Sequence, residues 1–133
     1  MEKQKTIKRA FNIEGKGLHT GKHISVQFYP AEINTGIVFK RSDIEGQPSI
    51  QAIADYVVDT SRGTTLSNGT FLIKTIEHLL AAITSLSIDN IIIDMNCEEV
   101  PILDGSAGQY VQHFKNIGYS WIRMPHLIIR WNL

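Results

Sequence analysis

Along the first seventy residues, hydrophobic and polar positions alternate in short runs; near residue 75 the period lengthens to three and four. Ile24, Val26 and Phe28 alternate with Ser25 and Gln27, the pattern of a half-buried strand that Pro30 ends. Asn34-Thr35-Gly36 is turn chemistry leading into a strand at Ile37 to Lys40. Further strands are expected at Ile50 to Ala54, Thr64 to Leu66 and Phe71 to Ile73. Ser67-Asn68-Gly69 signals a hairpin between the last two, with a type I′ turn because Asn and Gly tolerate positive φ. Ile76, Leu79, Leu80, Ile83 and Leu86 then share one face of a helix starting near Thr75. Asn90 to Met95 reads as a central strand. After a loop at Glu98 to Gly105, Ser106 is placed to cap a second helix. Ala107, Tyr110, Val111, Phe114 and Ile117 form its apolar stripe, and Gly118 suits the position past its end. Two amphipathic helices and a mostly antiparallel sheet imply an α+β fold, a two-layer sandwich. From Tyr119 onward no cap or turn marks an element, although Leu127, Ile129 and Trp131 have the spacing of a strand.

Helical phase singles out two polar residues. At 100° per residue, Glu77 and His78 lie about 120–140° from the centre of the apolar face near Ile83. Both are expected to point away from the local core, on a face that His78 shares with Ala81, Ala82 and Ser85. They also sit in the first turn, where the helix dipole favours a carboxylate. A neutral imidazole binds metal, and a neighbouring glutamate can take the proton of a metal-bound water. On spacing alone, two solvent-facing residues are the better description. A zinc site needs about three protein ligands, and no HExxH repeat supplies a second histidine. His19, His23, His113 and His126 are scattered along the chain.

Composition narrows the class without choosing a chemistry. A chain of 133 residues, 43% hydrophobic, has material for one core. Lys plus Arg and Asp plus Glu both number 13, so net charge gives no reason to expect a nucleic-acid partner. The basic stretch Lys3 to Arg9 reads as a solvated strand edge. A single cysteine, Cys97, excludes an internal disulfide and fits a reducing compartment. No apolar run approaches the roughly 18 residues of a membrane span. The expectation is a soluble, cytoplasmic protein.

Other candidate groups are weaker. Gly15-Lys16-Gly17-Leu18-His19-Thr20-Gly21 is a glycine-rich loop that can bring backbone close to a ligand and project His19. It lacks the Gly-Lys-Ser/Thr ending of a phosphate loop, and a tight hairpin explains it as well. Asp59-Thr60 and Asp104-Gly105-Ser106 are turn and capping residues first. Cys97 flanks a core strand and reads as a packing residue.

In order and spacing, these segments resemble a known family. The residues are Gly17-Leu18-His19-Thr20-Gly21, Asn34-Thr35-Gly36, Asp59-Thr60 with Thr64-Thr65-Leu66, and Thr75 to Ala82. The pattern continues through Ile88-Asp89-Asn90 and Pro101-Ile102-Leu103-Asp104-Gly105-Ser106-Ala107. Over residues 4 to 118 this mosaic resembles the UDP-3-O-acyl-N-acetylglucosamine deacetylases of lipid A biosynthesis. The resemblance implies two similar domains, each a sheet layered with two helices, and a zinc ion in the cleft between them. It implies that Glu77 is the general base and His78 one zinc ligand. Leu18, His19, Arg62, Gly63 and Thr64 would then lie near substrate, although Ser61-Arg62-Gly63 is less apolar than the matching family stretch.

The implied reaction is hydrolysis of the acetamide of a UDP-linked, 3-O-acylated glucosamine. In the family the second domain supplies a further histidine and an aspartate to zinc, another histidine as acid, and the acyl passage. The pattern stops at Gly118, so residues 119–133 are expected to be a divergent tail of a truncated or frame-altered chain that is inactive alone. A second-domain chain acting in trans would complete the site. The alternative is a non-catalytic module that binds a nucleotide sugar or a protein.

Overall fold

The computed structural model describes residues 3–59 and 64–123. Among the described residues, ten strands and two helices follow one another. Strand β1 (Lys3–Ile7), β2 (Phe11–Lys16), β3 (His23–Pro30), β4 (Ile37–Arg41) and β5 (Ser49–Gln51) come first. A short 3-10 turn at Ala54–Tyr56 leads to β6 (Val57–Asp59), β7 (Thr65–Ser67) and β8 (Leu72–Lys74). Helix α1 (Glu77–Ser85), β9 (Ile91–Met95), α2 (Gly108–Ile117) and β10 (Tyr119–Arg123) complete the order.

The main sheet runs β2-β3-β9-β4-β5, so the apolar strand expected to be central is the middle one of five. All its pairings are antiparallel except β4 with β9. Ile91, Ile93 and Met95 turn to the same face as Val26, Phe28 and Phe39, and all six are buried. Helices α1 and α2 cover that face, giving the expected α+β sandwich. Leu79 and Ile83 of α1 and Tyr110 and Phe114 of α2 are buried in it, as the helical spacing requires. Phe28 stacks on Phe11 at 4.8 Å between ring centroids, and the Phe114 edge meets Phe28 at 5.2 Å.

Several local expectations change. Helix α1 starts at Glu77 because Thr75 has φ 60° and Ile76 lies at φ −101°, ψ 2°. A β-branched residue at positive φ is strained; Thr75 is buried, and its N–H donates to the Thr64 carbonyl at 2.9 Å. Ala82 is fully buried rather than on the outward face, since α1 packs against α2 as well as the sheet. The Ser67-Asn68-Gly69 hairpin forms, but Asn68 keeps negative φ, so the turn is not type I′. Instead the Asn68 side chain accepts from the Thr70 N–H and hydroxyl. The strand expected at Ile50 to Ala54 stops at Gln51, after which the Ala52 N–H donates to the Ile37 carbonyl and the 3-10 turn follows. Ser106 accepts from the Gly108 N–H, although Ala107 occupies the cap position itself.

The ends of the described chain also pair. β10 is antiparallel to β1, with Lys5 opposite Trp121 and its ammonium 4.5 Å from the Tyr119 ring centroid. The other side of β1 is occupied too, where the Asp89 and Asn90 N–H groups donate to the Lys5 carbonyl. The basic N-terminal stretch is therefore not a free edge. Residues 124–133, with the strand spacing at Leu127, Ile129 and Trp131, lie outside the described residues.

Two motifs meet at a buried amide. Asn90 Oδ1 accepts from the Gly36 N–H at 2.9 Å, and its Nδ2 donates to Gln4 Oε1 at 2.8 Å. Gln4 in turn holds the Asn34 N–H and side chain. Asn34-Thr35-Gly36 and Ile88-Asp89-Asn90 thus join β1, β4 and β9, a structural role. At the opposite end of β4, Arg41 makes a bidentate ion pair with Asp43 and donates to the Leu72 carbonyl. Its guanidinium hydrogen bond holds the Asp43 carboxyl below its ordinary 3.8. A carboxyl lowered in the folded state adds stability that is full above the unfolded value and is lost as pH falls through the folded one. Asp43→Asn is expected to flatten the decline in stability below about pH 4, measured by urea unfolding across pH. An unchanged acid limb would contradict this role.

Candidate functional site

The residues singled out by helical phase stand where the start of α1 meets the segment before β7. Glu77 opens α1, half-buried, and its Oε2 accepts from the Thr64 N–H at 3.0 Å. The Thr64 carbonyl accepts from the Thr75 N–H, so Thr64 is bound on both sides to the start of α1. This double contact fixes one carboxylate oxygen against Thr64, the residue before β7. His78 follows, also half-buried. The fully exposed Asp104 carboxylate is held below its usual range by the Ser106 hydroxyl and amide. Asp104 acts as the turn residue its sequence suggests, accepting from the Ser106 N–H and hydroxyl.

The glycine-rich loop is tied through Glu99 and Pro101 to β8, the strand that precedes α1. The Gly17 N–H donates to the Lys22 carbonyl and the Gly21 N–H to the Gly17 carbonyl, closing a tight turn with Gly21 at φ 66°. Leu18 and His19 are both exposed, Leu18 to 55%. Sequence reasoning missed Glu99, which lies inside this loop. It is 1% exposed, and its two oxygens accept from the His19 and Thr20 N–H groups at 2.8 and 3.1 Å. Its neighbour Glu98 accepts from the Lys74 N–H, which ties the segment back to β8 and α1. The signal was faint, because an acidic pair in a polar loop resembles solvated surface.

The structure thus brings Glu77, His78 and Thr64 together and places Leu18 and His19 on the glycine loop. Arg62 and Gly63 lie outside the described residues, as do Thr60 and Ser61. His23 is on β3, and His113 is on the exposed side of α2. Cys97 is half-buried against the core, as a packing residue would be. Among the described residues no group of three His, Cys, Asp or Glu side chains converges in a way that could hold a metal ion. These donors by themselves do not fit a zinc site. No helix among the described residues is long and apolar enough to cross a membrane.

The sequence model of the UDP-3-O-acyl N-acetylglycosamine deacetylases matches residues 4–132, nearly the whole chain. The chain belongs to this family. The match runs through residues 119–132, so β10 falls inside it. Among relatives of the deacetylase family, the bifunctional enzyme LpxC/FabZ of Bacteroides thetaiotaomicron is 51% identical over 118 residues, covering 89% of this chain and 26% of the relative. The UDP-3-O-acyl-N-acetylglucosamine deacetylase of Thioalkalivibrio sulfidiphilus is 43% identical over 130 residues, covering 98% of this chain and 43% of the relative. That of Teredinibacter turnerae is 42% identical with the same coverage. The chain spans between about a quarter and under a half of the curated relatives it matches.

Proposed function

We propose that this chain is one part of a zinc-dependent deacetylase that hydrolyses the acetamide of UDP-3-O-acyl-N-acetylglucosamine in lipid A biosynthesis. Glu77 carries the reading. It is a half-buried carboxylate at the start of a helix, turned from the core and fixed by the Thr64 amide, in a chain that belongs to the deacetylase family. Glu77 takes the proton from a water whose oxygen attacks the acetamide carbonyl. The C–N bond then breaks, the amine leaves with a proton, and acetate and the free amino sugar result. Zinc, if held by His78 together with donors from a second domain, would supply polarisation of the carbonyl and acidity to the water. His78 is the donor this chain gives it, and the remaining donors and the acid group belong to a second domain, in the same protein or in trans.

Leu18, His19, Arg62, Gly63 and Thr64 would face the substrate from this side. The single cysteine supports a reducing, cytoplasmic setting. One histidine ligand makes a poor zinc site. Calorimetric titration of the purified chain with zinc is expected to show only weak binding, weaker still in His78→Ala. Tight one-to-one binding that survives His78→Ala would overturn the ligand assignment.

The shortage of metal donors among the described residues favours one other reading, a module that binds a nucleotide sugar without catalysis. Binding of UDP-N-acetylglucosamine unaffected by Glu77→Ala and His78→Ala would favour that module.

A further inference from the structure

Glu99 is buried, yet among the described residues no cation forms an ion pair with it. A carboxylate in that position is costly unless its oxygens are hydrogen-bonded. Here the partners are two successive backbone amides of the glycine loop, His19 to Oε1 and Thr20 to Oε2. Consecutive amides turned inward form a concave anion-binding nest, and the protein's own side chain fills it. The fit is close on the loop side as well. A Cβ on Gly17 would stand 2.6 Å from Glu99 Oε2, 2.5 Å from Thr20 Oγ1 and 2.7 Å from Ile24 Cδ1. Gly17 is therefore required by contact, and the loop wraps the carboxylate without slack. The same segment is anchored beyond Glu99, where the Ile102 N–H donates to the Lys16 carbonyl and Gly17 bridges Pro101.

Drawing the His19 and Thr20 amides inward leaves Leu18 and His19 exposed on the opposite side. An exposed leucine flanked by a histidine, on a backbone locked from beneath, is a preformed contact surface, which saves the ordering cost a mobile loop would incur on binding. The anchoring continues to the start of α1. Glu98 and Glu99 are joined to Lys74 by the Lys74 N–H bond and a parallel bridge, and Thr75 is bound to Thr64, which holds Glu77.

We propose that Glu99 is a positioning residue: its buried carboxylate grips the His19 and Thr20 amides and so sets how Leu18 and His19 meet a nucleotide-sugar ligand. The ligand half of this statement rests on the reading of the loop as substrate-facing, and the grip on the loop does not. Glu99→Gln keeps the volume, but it sets an NH₂ group against a backbone N–H and leaves one amide unpaired.

The experiment is amide hydrogen exchange by NMR on the 133-residue chain, with and without UDP-N-acetylglucosamine as probe. In Glu99→Gln, exchange at His19 and Thr20 should quicken by about tenfold or more, while the Phe28 and Ile93 amides keep their rates. Gly17→Ala, which acts from the loop side, should do the same. In the parent chain the probe should shift the Leu18 and His19 resonances, and both variants should reduce that shift. Unchanged exchange at His19 and Thr20 in both variants would overturn the grip and leave the reading of the site untouched. Protection lost throughout the sheet in both variants would also overturn it, making Glu99 a residue of global folding. A parent chain whose Leu18 and His19 do not respond to the probe would instead overturn the substrate-facing role of the loop.

Discussion

When residues 1–118 are joined to the remaining part of the Thioalkalivibrio sulfidiphilus relative, Glu77→Gln is expected to lower kcat by about 10²–10⁴-fold. Glutamine retains a carbonyl oxygen for the Thr64 N–H that Glu77 Oε2 now accepts at 3.0 Å, so the side chain keeps its place. What it loses is the ability to take a proton. A fall in kcat with KM little changed separates this role from substrate binding, since an interaction made only in the transition state lowers kcat and kcat/KM together. The metal content of the variant should match that of the parent. Activity within a few-fold of the parent would remove Glu77 from the chemistry and leave it as a helix-start residue bound to Thr64.

The second large effect concerns the fold that holds this face in place. Phe28→Ala is expected to cost about 3–5 kcal/mol of stability. Phe28 is fully buried, packs against both Phe11 and Phe114, and belongs to β3, whose neighbours are β2 and β9. Its loss removes a stacked partner on β2 and an edge contact on α2 at once, and β3, hydrogen-bonded on both sides, cannot shift to close the void. Against a typical total of about 5–15 kcal/mol for a domain, this is a large fraction. Urea unfolding should show a lower midpoint with an unchanged slope. A loss below about 1 kcal/mol would mean that the three rings can repack.

The parts of this structure that were legible in the sequence are those set by local periodicity. The 3.6-residue spacing from Ile76 to Leu86 placed Leu79 and Ile83 in the core and turned Glu77 and His78 outward. The alternation at Ile24 to Phe28 gave β3 its buried face. The bounds of α1 were less legible, because Thr75 adopts positive φ under a contact from Thr64, which lies eleven residues earlier in the chain. β10 could not be read at all, since its partner β1 is more than a hundred residues away and its own pattern is mixed. The same separation hid the site's supports. Neither the Thr64 amide on Glu77 nor Glu99 beneath His19 has a local signature; each is defined by a pairing across the fold. The clue available in advance was Gly17, whose missing side chain is explained once Glu99 is seen beneath it.

On the proposed function, this chain holds part of an active site and not the whole of one. The most direct test is acetate release from UDP-3-O-acyl-N-acetylglucosamine by the purified 133-residue chain, with and without added zinc. The expected result is release at the background rate in both conditions, unchanged in Glu77→Ala. Zinc-dependent turnover that disappears in Glu77→Ala would contradict it, showing that these residues form a complete site on their own.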